Sequence, residues 1–322
     1  MKPKVFIDRP LPAEVVAYIA EHCEYEQWDS ARPIPRETLL EKVADADGLF
    51  TSSSAIDAEL LSRAKRLKIV SSMSVGYNHF DLSAMKARGV LGTNTPHVLD
   101  ETVADLAFAL ILGTARRVAE LDRYVKQGKW RKEDNEVLFG TDVHHATLGI
   151  IGMGRIGEAI ARRGKLGFGM EVVYYNRNRK PDTEKELGVQ YLPFEQLLGT
   201  ADFIVMMTPL TRETAGMIGR AQFALMKPSA IFINVSRGQT VDETALVDAL
   251  REGRIRAAGL DVYAQEPIPK DHPLLSLPNV LTLPHIGSAT AKTRFDMAML
   301  AARNLVAGVT GRTPPNIVAE LK

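Results

Sequence analysis

The stretch Thr147-Leu148-Gly149-Ile150-Ile151-Gly152-Met153-Gly154-Arg155-Ile156-Gly157 decides the fold. Leu148, Ile150 and Ile151 form a short apolar run that reads as a buried strand. Gly152, Gly154 and Gly157 then give G-x-G-x-x-G, and Glu158 to Leu166 continues as an Ala- and Arg-rich helix. Each glycine has a physical task. One makes the tight turn, one admits a pyrophosphate against the backbone, and one lets helix and strand pack closely. The start of the helix offers free N–H groups and the positive end of its dipole to that pyrophosphate. A glycine-rich turn made only for packing is the plainer reading. A second strand expected over Glu171 to Tyr175 completes a strand–helix–strand unit, and it favours a dinucleotide site.

In such a unit the second strand usually ends in an acidic residue, about 20 residues past the glycines, which binds the ribose 2′-hydroxyl of NAD. This chain has Tyr174-Tyr175-Asn176-Arg177-Asn178-Arg179-Lys180 there. No carboxylate is available in this turn. The guanidinium forks of Arg177 and Arg179 suit the oxygens of a 2′-phosphate, with Asn176 and Asn178 beside them. NADPH is therefore expected over NADH, which stays possible. The alternative is an Arg- and Lys-rich turn that is simply solvated.

At 322 residues the chain exceeds the size at which one core usually suffices, so two domains are expected. Lys plus Arg number 40 against 39 Asp plus Glu, a balance that gives no reason to propose nucleic acid or an anionic membrane as partner. Cys23 is the only cysteine, so no intrachain disulfide can form and a reducing compartment fits. No stretch has the apolar length of a signal peptide or a spanning helix. A soluble cytoplasmic protein is expected.

From residue 4 to about 93, short apolar runs alternate with amphipathic segments. Val5-Phe6-Ile7, Gly48 to Thr51, Lys68 to Ser71 and Gly89 to Gly92 read as strands, and Leu11, Val15, Val16 and Ile19 mark one helix face. Asp57 to Ala64 and Asp81 to Arg88 are expected helices, each with Asp at its N-cap. Strands separated by helices imply parallel pairing and a doubly wound layer. Asn94-Thr95-Pro96-His97 reads as a crossover, because Pro96 blocks a regular helix. Glu101 to Gln127 is expected to be one long buried helix with a possible subunit contact. Further strands are expected over Phe203 to Met207, Ala230 to Val235, Ala257 to Leu260 and Val280 to Leu283. A helix over Asp296 to Thr310 would return to the first domain. The fold class is α/β, with two doubly wound parallel-sheet domains. Residues 1–99 and 290–322 are expected to form a flavodoxin-like substrate domain, with a Rossmann domain over 100–289 inserted into it.

In an open parallel sheet, function gathers at loops beyond the carboxyl ends of strands. Asn234-Val235-Ser236-Arg237-Gly238 puts an arginine after one strand, Gly259-Leu260-Asp261-Val262-Tyr263 leads from another into Glu266-Pro267, and Leu283-Pro284-His285-Ile286-Gly287-Ser288 puts a histidine after a third. Singly, each is more simply a solvated or satisfied loop residue. Together they match what hydride transfer to a 2-keto acid requires. Arg237 can orient a substrate carboxylate bidentately, and His285 can protonate the carbonyl oxygen near neutral pH. Glu266 can stabilise the cationic imidazole and hold its tautomer. His144 and His145 invite a metal reading, but no cluster of ligands at suitable spacing flanks them, so no metal is expected.

These motifs resemble those of the D-isomer-specific 2-hydroxyacid dehydrogenases, and most of all the bacterial glyoxylate/hydroxypyruvate reductases that also reduce 2-ketogluconate. The resemblance covers essentially the whole chain. It rests on Ser74-Val75-Gly76-Tyr77, Glu101 to Ala104, Thr141 to His145, the glycine motif, Ser236-Arg237-Gly238, Gly259 to Val262, Gln265-Glu266-Pro267 and Pro284 to Ser288. It implies a catalytic trio of Arg237, Glu266 and His285, with His285 the proton donor. It also implies that the amides of Val75 and Gly76, with Arg237 and His285, bind the substrate. Arg155 and Ile156 would lie on the pyrophosphate, and Thr208, Val235, Asp261, Gly287 and Ser288 would line the rest of the cofactor site, Asp261 on the carboxamide. A homodimer paired through its nucleotide domains is implied, with the substrate domain closing over the cleft. Asn78 departs from the family's usual Asp after Val-Gly-Tyr.

Glyoxylate, hydroxypyruvate and 2-ketogluconate are the expected 2-keto acids, reduced to D-2-hydroxy acids. Thr51 to Ser54 could present hydroxyls to such substrates or simply form a Ser/Thr turn. The absence of Arg and Lys there argues against a phosphorylated substrate. An NAD-dependent phosphoglycerate dehydrogenase and a non-catalytic, nucleotide-sensing corepressor share the scaffold and remain the rival readings. Nothing points to a formate dehydrogenase.

Overall fold

The computed structural model describes residues 1–322. They form two compact units, one of residues 1–99 with 289–322 and the other of residues 100–288. The first runs β1 (Lys4–Ile7), α1 (Ala13–His22), β2 (Glu24–Gln27), α2 (Arg36–Val43), β3 (Gly48–Thr51), α3 (Ala58–Arg63), β4 (Ile69–Ser72), α4 (Leu82–Ala87) and β5 (Leu91–Thr93). Its five strands are all parallel in the order β2-β1-β3-β4-β5. Asp57 and Asp81 cap α3 and α4, accepting from the amides of Leu60 and Ala84, as their place in the sequence leads one to expect.

The second unit opens with α5 (Asp100–Ala115) and α6 (Val118–Lys126). It continues as β6 (Thr147–Ile151), α7 (Arg155–Phe168), β7 (Glu171–Tyr175), α8 (Pro181–Leu187), β8 (Gln190–Tyr191), α9 (Phe194–Thr200) and β9 (Phe203–Met206). It closes with α10 (Arg220–Leu225), β10 (Ile231–Asn234), α11 (Glu243–Arg251), β11 (Ala257–Leu260) and β12 (Val280–Thr282). The sheet order is β12-β11-β10-β9-β6-β7-β8, again parallel throughout. Chain order reverses between β6 and β9, and ligands of such sheets bind outside the strand ends at that point. The helix α12 (Ala291–Val309) belongs to the first unit and packs on β3 and β4. Thr290 caps it, and it starts five residues earlier than the apolar spacing indicates.

The single helix expected over Glu101 to Gln127 is two. Arg117 takes a left-handed conformation, φ 55°, and breaks it. Its guanidinium pairs with Glu120 at 2.7 Å and donates to the carbonyls of Val137 and Phe139 at 2.6 and 3.2 Å, so partners distant in sequence hold the break. No helix is long and apolar enough to cross a membrane.

Candidate active site

The turn after β6 is shaped by backbone contacts. Gly152 has φ 108°, and a Cβ there would lie 2.7 Å from the carbonyl carbon of Met207 and 2.8 Å from the amide nitrogen of Thr208. At Gly157 a Cβ would meet the carbonyl oxygen of Gly152 at 2.5 Å. At Gly154 the same position is open. Two glycines are thus required by the fold itself, while the third leaves clear the outer face of the turn, the room a pyrophosphate needs. Arg155 and Ile156 stand in the first turn of α7, where amides lack helical acceptors. These residues fit a dinucleotide. The Arg155 guanidinium itself turns back to Asp100, with Nε 3.1 Å from Oδ2.

Asn176 is occupied by this turn. Its Oδ1 accepts from the Met153 amide at 2.7 Å and its Nδ2 donates to the Met153 carbonyl at 3.2 Å. Among the residues that follow, Arg177, Asn178, Arg179 and Lys180 are all exposed. Arg179 differs from Arg177: it forms a two-pronged ion pair with Glu184, at 3.1 and 2.6 Å, and lies 5.5 Å over the Tyr191 ring. Of the two guanidiniums expected at a phosphate, that of Arg179 is shared with the Glu184 carboxylate at the protein surface.

The trio gathers at neighbouring strand ends. His285 follows β12 and adopts φ 53°, a left-handed turn. His285 Nδ1 lies 2.6 Å from Glu266 Oε2, and Glu266 Oε1 accepts from the Tyr263 amide at 3.0 Å. Burial pushes the Glu266 carboxyl upward, but His285, the Tyr263 amide and the charge of Arg237 outweigh it and hold the group below its ordinary value. An ionised carboxylate can only accept, so Nδ1 carries the hydrogen and Nε2 is the end left for other chemistry. Arg237, after β10, has its guanidinium pulled down from the usual value by burial, with Glu266 acting against that. It stays cationic and donates to the Ser236 carbonyl at 2.6 Å.

The unusual turn at His285 is held by Asp261 and Tyr263. Asp261, buried at the end of β11, accepts from the amides of Ile286 and Gly287, each at 2.8 Å. Burial raises the Asp261 carboxyl and these two amides oppose the rise. Tyr263 donates its hydroxyl to the Leu283 carbonyl at 2.9 Å. Gly238 packs so tightly on the Tyr263–Ala264 peptide that a Cβ would fall 1.8 Å from the Tyr263 carbonyl carbon. Asn234 accepts from the amide and hydroxyl of Ser236, both at 3.0 Å, and shapes the Arg237 loop. Val235 is buried, while Thr208 and Ser288 are half-buried. Strand-end position finds the trio in the sequence. It did not find Tyr263, Gly238 and Asn234, or the clamp role of Asp261, because these partners meet only once the loops are folded.

In the first unit, Val75 and Gly76 follow β4. The Ser74 carbonyl accepts from the Thr95 amide at 2.8 Å, and the Val75 carbonyl from Asn94 Nδ2 at 2.9 Å. Asn304 of α12 donates in turn to the Asn94 carbonyl at 3.1 Å. The amides of Val75 and Gly76 donate to no acceptor in the chain. Thr51 is buried and donates to Asp8, as does Ser54 at 2.6 Å, and the Ser54 amide donates to Thr51 Oγ1 at 3.2 Å. The bond from the Ser54 amide to Thr51 Oγ1 closes a Ser/Thr turn, and Ser52 and Ser53 are not buried. No group of three or more His, Cys, Asp or Glu side chains is arranged to hold a metal.

Residues 108–287 match the family model for the NAD-binding domain of D-isomer specific 2-hydroxyacid dehydrogenases. The chain is 49 % identical over 320 residues to a glyoxylate reductase of Korarchaeum cryptofilum, covering 99 % of this chain and 96 % of that one. It is 49 % identical over 318 residues to glyoxylate/hydroxypyruvate reductase B of Citrobacter koseri, with 99 % and 98 % covered. The chain belongs to the D-isomer specific 2-hydroxyacid dehydrogenase family. Among solved structures this dehydrogenase is similar to the NADPH-dependent glyoxylate/hydroxypyruvate reductase of Sinorhizobium meliloti in complex with NADP and malonate. The TM-score is 0.87, the identity 34 %, and 100 % of this chain and 98 % of that one are covered.

Proposed function

We propose that the chain reduces small 2-keto acids, among them glyoxylate, hydroxypyruvate and 2-ketogluconate, to D-2-hydroxy acids with a nicotinamide cofactor, NADPH preferred. The observation that carries this reading is the 2.6 Å contact of His285 Nδ1 with Glu266 at the ends of β11 and β12, beside the Arg237 loop. Residues 100–289 would serve as the nucleotide domain and residues 1–99 with 290–322 as the substrate domain. A bound nicotinamide supplies the hydride for C2 of the keto acid. Glu266 keeps the Nδ1 hydrogen of His285 in place, so the proton delivered to the keto oxygen comes from Nε2. Arg237 offsets the negative charge that develops on that oxygen and helps orient the carboxylate. The amides of Val75 and Gly76 take the carboxylate itself.

Arg177, exposed at the turn after β7, supports the NADPH preference. Asp261 retains lone pairs for the carboxamide beyond the two amides it accepts. The exposed apolar side chains Val118, Val125, Trp130, Val137 and Phe139 support a homodimer paired through the 100–289 unit, which sedimentation tests directly. A single buried cysteine supports a reducing, cytoplasmic setting.

Absorbance of the reduced nicotinamide, followed with each keto acid and both cofactors, tests the reading. Turnover with hydroxypyruvate and a higher kcat/KM for NADPH are expected. Tight cofactor binding without turnover would favour a nucleotide sensor instead. His285→Ala should lower kcat by about 10²- to 10⁴-fold and leave the cofactor's Kd nearly intact. A near-normal kcat would remove His285 from the proton step.

A further inference from the structure

Three carbonyls in a row are held on the segment after β4. Those of Ser74 and Val75 accept from the Thr95 amide and the Asn94 side chain, and that of Gly76 accepts from Ser74 Oγ at 2.7 Å. A trans peptide is planar and its N–H points opposite its C=O. Anchoring the three carbonyls therefore also orients three amides, those of Val75, Gly76 and Tyr77. None of the three donates to an acceptor in the chain.

The third anchor has a longer pedigree. Ser74 Oγ lies 2.7 Å from Ser72 Oγ, and Ser72 Oγ lies 3.1 Å from His79 Nε2. The direction of every hydrogen along this chain follows from its end. A carbonyl only accepts, so the one hydroxyl proton of Ser74 goes to Gly76. Ser72 must then donate to Ser74, and the lone pair of Ser72 must accept from Nε2–H of His79. Ser72 is fully buried, so water does not compete for its hydroxyl.

We propose that His79, Ser72 and Ser74 are positioning residues for the keto acid: their directed hydrogen-bond chain fixes the Gly76 peptide, so that the Tyr77 amide joins those of Val75 and Gly76 as a third donor to the substrate carboxylate. The inference rests on the reading of this chain as a 2-keto-acid reductase. It adds a donor and the side chains that aim it.

Oxamate, an unreactive isostere of a 2-keto acid, is the probe, titrated calorimetrically into the full-length protein saturated with NADPH. His79→Leu and Ser72→Ala should each weaken oxamate by about three- to tenfold, the span of one net hydrogen bond. KM for hydroxypyruvate should rise by a similar factor, while the Kd of NADPH stays at the wild-type value. His79→Gln, whose terminal amide can donate to Ser72, should restore most of the loss. Ser74→Ala removes a single half-exposed hydroxyl and should reproduce the loss, which keeps the test decisive if His79→Leu folds poorly. Wild-type oxamate binding in both His79→Leu and Ser74→Ala overturns the proposal, and so does a loss carried in kcat with KM unchanged. If the wild type reduces no 2-keto acid, the reductase reading falls, and the oxamate titrations still decide whether the chain aims these amides.

Discussion

Each carboxylate oxygen of Asp261 accepts one amide from the turn that carries His285, and the residue is almost inaccessible. Asn in its place would offer one acceptor and one donor, leaving the amide of Ile286 or Gly287 facing an N–H. A buried donor without an acceptor costs about 1–3 kcal/mol. Asp261→Asn should therefore lower unfolding stability by that amount in a denaturant titration and reduce kcat by loosening the His285 turn. Unchanged stability would show that the turn needs no clamp. Glu266 gives a pH-dependent counterpart. Its folded carboxyl is held below its ordinary value, so the stability it contributes is complete at neutral pH and disappears as pH falls through the lowered value. The stability gap between wild type and Glu266→Gln should accordingly be present at pH 7 and close below the ordinary glutamate value of about 4.3. A gap that persisted at lower pH would assign it to packing and not to charge.

At the scale of elements, the loops after β10 and β11 interlock through Gly238. Its Cβ position is 1.8, 2.1 and 2.3 Å from three backbone atoms of Tyr263 and Ala264, none of which a side-chain rotation can clear. Gly238→Ala should thus push the Arg237 loop away from the Glu266 loop. We expect a soluble protein that has lost at least about a hundredfold in kcat/KM, some 2.7 kcal/mol of transition-state stabilisation, measured by steady-state kinetics. Near-normal kinetics would mean the loops can slide apart without effect. This interlock also marks where the sequence stops being legible. Apolar runs announced β1, β3, β6, β7 and the strands of the trio, and the Asp caps of α3 and α4 were plain. The edge strand β2, Glu-Tyr-Glu-Gln, has no apolar pattern because it is mostly exposed, and β8 is only two residues long. The α5–α6 break escaped because Arg117 depends on Val137 and Phe139, twenty or more residues away. The contacts of Arg179 with Glu184 and Tyr191 are equally invisible in the composition of its turn, because they form only on folding.

At the scale of the whole molecule, each unit has a core of its own. Phe6, Leu49, Val70 and Met85 belong to a cluster in the first, whereas Ile151, Ile204, Phe232 and Leu260 belong to one in the second. The glycine turn, Asn176 and Arg177 all lie in the second unit, so a dinucleotide bound there acts on one core directly. A ligand that binds only the folded form stabilises it by RT ln(1 + [L]/Kd), about 2.7 kcal/mol at a hundred times Kd. Scanning calorimetry should then resolve two transitions, with NADPH raising the one that belongs to residues 100–288 and leaving the other near its original temperature. Hydrogen exchange supplies the assignment: NADPH should slow the amides of β6, β7 and β9 and not those of β1, β3 and β4. If one transition moves as a whole and both sheets gain protection together, the two cores unfold as a single cooperative unit, and stabilisation by the cofactor spreads through the entire chain.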